Sequence, residues 1–92
     1  MDKRFTPLSQ IEQIQKRQYV LEMIQQNPDW PINVVAKFIR TELHLTSSDM
    51  AKITKISLQT LQNLEKPYAN PTLETMYKLL NAFGLKLLIV KK

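Results

Sequence analysis

The sequence predicts an all-α, compact bundle of about five helices, closed by a single β-strand at its carboxyl end. Three observations carry this. Helix-start residues recur along the chain, with caps at Ser9, Thr46, Ser57 and Thr72 and a first-turn proline at Pro31, each ahead of a run of apolar residues at helical spacing. Proline and the single glycine fall at the edges of those runs or between them. Only the last eight residues, LKLLIVKK, are apolar on both faces and β-branched toward their end, which is the pattern of a strand.

The first helix is expected over residues 9 to 26. Ser9 and Glu12 have the spacing of a capping box, Ile11, Ile14, Leu21 and Ile24 keep the period, and Asn27-Pro28 stops it. Leu8, Tyr19, Val20 and Met23 add apolar positions on more than one face, so the helix could extend the core, join a dimer interface or meet a partner. Pro31 suits the first turn of a second helix that turns Val34, Val35, Phe38, Ile39 and Leu43 to the core and ends at His44-Leu45. Trp30, between Asp29 and Pro31, reads as a packed loop anchor and His44 as a helix-end residue. Thr46 with Asp49 caps a short third helix through Ile53, and Ser57 caps a fourth that reaches Glu65. After the loop KPYANP, Thr72 opens a fifth helix with core positions Leu73, Met76, Leu79, Leu80 and Phe83, and Gly84 stands where a left-handed cap is wanted.

At 92 residues the chain supports one core, divided as an amino-terminal helical extension (1–30), a helical domain (31–84) and a terminal strand (85–92). A lone strand cannot satisfy its own backbone groups, so residues 85 to 92 are expected to pair with the same strand of a second copy, placing Leu87, Leu88, Ile89 and Val90 in a homodimer interface. This run is far shorter than the roughly 20 residues of a spanning helix, and MDKRFTPLSQ has no apolar signal core. A cytoplasmic location is expected, and the absence of cysteine fits a reducing compartment. No membrane partner is expected.

Thirteen basic residues against eight acidic ones give a net charge of +5, which suits a polyanionic partner. With no cysteine, one histidine and one glycine, the chain offers neither a thiolate or multi-histidine metal site nor a glycine-rich phosphate loop. No catalytic carboxylate pair or nucleophile triad stands in a motif. Neither an enzyme nor a cofactor is expected.

The chemistry that stands out lies in ITKISLQTLQNLEK, residues 53 to 66. Two short helices joined by Thr54-Lys55-Ile56 have the arrangement of a helix-turn-helix. Met50 and Ala51 pack beneath the second helix, and Ile56, Leu61 and Leu64 face the same core. The intervening positions face outward and hold Leu58, Gln59, Gln62 and Asn63 instead of the usual charges. Base edges in the major groove present mixed donors and acceptors, which Gln and Asn can match, and a thymine methyl could cover Leu58. Taken alone, the same amides could equally be ordinary surface residues.

From Leu45 to about Val90 the chain resembles the Xre/Cro-like helix-turn-helix family, of lambda-repressor-like fold. The resemblance rests on LTSSDMAKITKISLQTLQNLE and NPTLETMYKLLNAFGLKL. It is closest to HipB-type antitoxins, through TLQNLEKPYANPTLETMYKLLNAFGLKLLIV, whose last helix runs straight into a strand. Lys55 stands where that family usually has a glycine, which implies a positive φ. The resemblance implies base contacts by Leu58, Gln59, Gln62 and Asn63, and phosphate contacts by Ser47, Ser48, Lys55, Ser57, Thr60 and Lys66, with Lys52 adding charge. It further implies a repressor that binds an inverted-repeat operator in double-stranded DNA as a homodimer and partners a HipA-like kinase toxin. Two other readings stay open: an adaptor that mainly holds a protein partner, and a phage-type repressor without a toxin.

Overall fold

A computed structural model describes residues 8–87, and over that span the chain forms five helices in the expected order: α1 (Gln10–Gln26), α2 (Ile32–Glu42), α3 (Ser47–Thr54), α4 (Leu58–Leu64) and α5 (Leu73–Ala82). Local chemistry sets the boundaries. Ser9 and Glu12 form a reciprocal capping box, with the Ser9 hydroxyl accepting the Glu12 amide at 3.2 Å and the Glu12 carboxylate accepting the Ser9 amide at 3.1 Å. The Ser9 backbone amide and hydroxyl together hold the Glu12 carboxyl below its ordinary pKa. Pro31 stands one position earlier than expected, as the N-cap of α2, and its carbonyl accepts the amides of Val34 and Val35.

Two helices end alike. In α2 the amides of His44 and Leu45 donate back to the carbonyls of Thr41 and Arg40, and in α5 those of Gly84 and Leu85 donate to Asn81 and Leu80. These are Schellman caps, which need a left-handed residue just past the helix. Gly84 fills that place at φ 73°, as its sequence position predicts, and His44 fills it at φ 53°.

The core draws on every helix. Val20 of α1 meets Val35, Ala36, Ile39 and Leu43 of α2, Met50 of α3, Leu61 and Leu64 of α4, and Leu79 of α5, with Ile56 and Phe83 closing it from the connections. Trp30 packs against this cluster with its ring edge on Phe38, centroids 5.0 Å apart, as its loop position predicts. The helix α1 is tied down at two further points. Lys16 pairs with Glu42 of α2 at 3.2 Å, and the Arg17 guanidinium donates to the carbonyl of Ala82 at 3.0 Å while lying over the ring of Phe83. A cation at the last carbonyls of α5 also complements that helix's dipole.

Several expected core positions are on the surface. Val34 is 38% exposed because its neighbour Val35 takes the inward direction, and one residue along a helix turns the side chain by about 100°. Leu73 is 53% exposed because it is the first residue of α5, and its side chain leans back past the end of the core. Met76 is half-buried. In α1, which the sequence leaves open between core, dimer interface and partner, Ile11 and Ile14 are 70% and 69% exposed. The terminal strand is not formed among the described residues: positions 85–87 are irregular, since a ladder needs a second strand and no described segment supplies one. Of the expected interface residues, Leu87 is exposed, and Leu88, Ile89 and Val90 lie outside the described residues. No helix among the described residues is long and apolar enough to cross a membrane.

Candidate nucleic-acid interface

The outer surface of α3 and α4 is built around a three-residue turn. A capping box starts α3, with the Thr46 hydroxyl accepting the Asp49 amide and the Asp49 carboxylate accepting the Thr46 amide, both at 3.0 Å. Its other end is fixed by Thr54, whose buried hydroxyl donates to the Met50 carbonyl at 2.7 Å and accepts the Ile56 amide at 3.3 Å. Between them Lys55 adopts φ 64°, ψ 25°, the left-handed conformation implied by its place in the family pattern. The chain thereby reverses within one residue, drops Ile56 into the core and presents Ser57 as the cap of α4.

Burial then sorts the residues of α4. Leu61 and Leu64 are buried, three positions apart on the inner side. Leu58, Gln59, Gln62 and Asn63 are all exposed and share the outer side, Leu58 at 42% exposure. None of the three amide side chains has a hydrogen-bond partner among the described residues. Their donors and acceptors face water, available to a ligand with a mixed hydrogen-bond pattern.

The expected phosphate-contacting residues lie around this face. Ser57 and Thr60 are joined, the Ser57 hydroxyl donating to that of Thr60 at 2.7 Å while accepting the Thr60 amide at 3.2 Å. Ser47 and Ser48 occupy the first turn of α3, where unpaired amides and the helix dipole favour an anion. Lys55 is exposed at the turn between the helices, and Lys66 follows α4 with its ammonium 5.9 Å from the centre of the Tyr68 ring. Lys52 is exposed in the last turn of α3.

A bidentate ion pair sets the far end of α4. Arg40 of α2 donates through Nε and Nη2 to the two oxygens of Glu65, at 2.7 and 2.8 Å, with both side chains largely buried. Sequence reading did not single out this pair, since its members are 25 positions apart. On sequence, Thr54 belongs to the turn but has no assigned role, its only local signal being a hydroxyl four residues after Met50, and Tyr68 has none either. The latter is 78% exposed and lines, with Thr60 and Asn63, a cleft of about 430 Å³ beside α4. An aromatic next to basic Lys66, just past the expected reading helix, was the available signal.

Two helices crossing at a tight turn, the second buried on one side and rich in free amides on the other, define a helix-turn-helix unit. The helix-turn-helix family model matches residues 37–90, more than half of the 92-residue chain, and the chain belongs to this Xre/Cro-like family of DNA-binding transcription regulators. No curated protein matches the chain, and no solved structure does.

Proposed function

We propose that the chain is a sequence-specific repressor that reads double-stranded DNA with α4. The single observation that carries this is the exposed side of α4, where Leu58, Gln59, Gln62 and Asn63 stand together without charge and without internal partners. In a major groove Gln and Asn can bond two atoms of one adenine, and Leu58 can cover a thymine methyl. Ser47, Ser48, Lys55, Ser57, Thr60 and Lys66 surround that face and are assigned to phosphate, which fixes register without reading sequence.

The reading extends to a homodimer on an inverted-repeat operator, because one such unit reads few base pairs and two must be spaced about one helical turn apart. Its support is the apolar run that follows α5, assigned here to contact between copies through Leu87, Leu88, Ile89 and Val90. The likeness of residues 60–90 to HipB-type antitoxins supports a role as an operon's autoregulating antitoxin, with a HipA-like kinase as partner.

Base readout is tested with Gln59→Ala, whose side chain is exposed. Loss of a bidentate base contact should cost about 1–3 kcal/mol at the chosen site and flatten preference at one base position. Binding to random duplex should stay nearly constant. Equal losses on chosen and random DNA would remove Gln59 from readout.

A further inference from the structure

Lys66 and Tyr68 stand at the exit of α4 in an arrangement that the packing of the domain does not require. Tyr68 is 78% exposed, more than any other large apolar residue among those described, so its ring adds little to the core. The backbone around it is nevertheless set. The Lys66 amide donates to the Asn63 carbonyl at 3.1 Å, and the Ala69 amide donates to the Lys66 carbonyl at 3.0 Å. The second bond closes a four-residue turn with Pro67 at its second position, where the fixed φ of proline suits such a turn. Tyr68 comes next, and its ring centre lies 5.9 Å from the Lys66 ammonium, within the range at which a cation is drawn to an aromatic face.

Two other cations among the described residues lie over aromatic rings, and both are committed to an oxygen. Lys16 lies over Tyr19 and pairs with Glu42, while Arg17 lies over Phe83 and donates to the Ala82 carbonyl. Lys66 differs. Its ammonium has neither an ion pair nor a hydrogen bond among the described residues, because the adjacent carboxylate, Glu65, is taken by two nitrogens of Arg40. The cleft that Tyr68 lines with Thr60 and Asn63 of α4 has no acidic residue in its wall. The ring therefore holds the ammonium beside the outer side of α4 and leaves its three donors for an anion from outside.

We infer that Tyr68 is a positioning residue for DNA binding: its ring holds Lys66 in place for a backbone phosphate that passes the end of α4. This rests on the assignment of Lys66 to phosphate and deepens it, by naming the group that orders the lysine. A lysine free in water gives up much rotamer freedom when it meets a phosphate. One already held over a ring gives up less, and the difference appears as affinity. At an exposed site a contact of this kind is worth about two- to five-fold in an equilibrium constant.

The test is a double-mutant cycle on the full chain, read by anisotropy with a labelled random-sequence duplex at about 0.05 M salt, where non-specific binding is tight enough to measure. Tyr68→Ala should weaken binding about two- to five-fold when Lys66 is present and leave it unchanged in the Lys66→Ala background. Tyr68→Phe, which keeps the ring and loses the hydroxyl, should bind as the wild type does, and Tyr68→Leu, which keeps bulk without the aromatic face, should bind as Tyr68→Ala does. Thermal melts should stay near the wild type for all of them, since the side chain is exposed. Full affinity in Tyr68→Ala overturns the proposal. So does an equal loss with and without Lys66, which would mean that Tyr68 meets the DNA itself, and so does a Tyr68→Phe variant as weak as Tyr68→Ala, which would assign the effect to the hydroxyl. The failure of the underlying reading looks different: Lys66→Ala would then keep wild-type affinity and salt slope, removing Lys66 from phosphate and this role of Tyr68 with it.

Discussion

Lys55 is the residue at which backbone strain and DNA contact can be separated. It sits at φ 64°, ψ 25°, between α3 and α4, where any side chain beyond glycine brings Cβ close to the following carbonyl at a cost of about 1–2 kcal/mol. Glycine removes that strain but adds freedom to the unfolded chain, which returns roughly 0.5–1 kcal/mol. Lys55→Gly should therefore be more stable than Lys55→Ala by about 0.5–1 kcal/mol, or a Tm difference of about 4 °C for a domain of this size. Comparing glycine with alanine cancels the loss of the ammonium, which lies at the C-terminal end of the α3 dipole. The proposed phosphate contact would be lost in both, so both should bind all duplexes more weakly, with the slope of log affinity against log salt reduced by about one unit. Thermal melts and a salt series of anisotropy titrations measure the two effects. Equal stability of the two variants would refute the strained turn. A wild-type salt slope in both would return Lys55 to solvent.

Other expectations follow from particular contacts. Glu65→Ala removes both hydrogen bonds that join Arg40 to the end of α4, and in this largely buried setting should cost about 1–3 kcal/mol in urea unfolding; a change near zero would mean the pair is merely superficial. Lys66→Ala should lower affinity alike for chosen and random duplex and reduce the salt slope by about one unit, without altering base preference. A change in preference at a defined base position would move Lys66 from phosphate to base contact.

What the sequence shows plainly is what neighbours three or four positions apart decide. The caps at Ser9, Thr46, Ser57 and Thr72 each bond to an amide three residues on, so their residue types predict the starts of α1, α3, α4 and α5. Gly84 marks the end of α5 for the same local reason. The inward and outward sides of α4 were legible because Leu61 and Leu64 keep the period while amides fill the gaps. Periodicity places a residue on a side of a helix but not at a depth, which is why Val34, at the edge of the buried arc of α2, and Leu73, at the tip of α5, are exposed. The Arg40–Glu65 pair and the Arg17 bond to Ala82 join distant parts of the chain, and no local pattern announces them. In α1 the apolar residues face both ways, so only packing separates Val20 and Ile24 from Ile11 and Ile14.

The most direct test of DNA reading by α4 is a map of amide chemical-shift changes in the chain on adding a duplex that the chain itself has selected from a random library. The account predicts the largest changes at residues 57–63, with a second group at Ser47, Ser48 and Lys55, and smaller changes when a scrambled duplex of equal length replaces the selected one. Failure to enrich any sequence, or largest changes confined to α1, would contradict it.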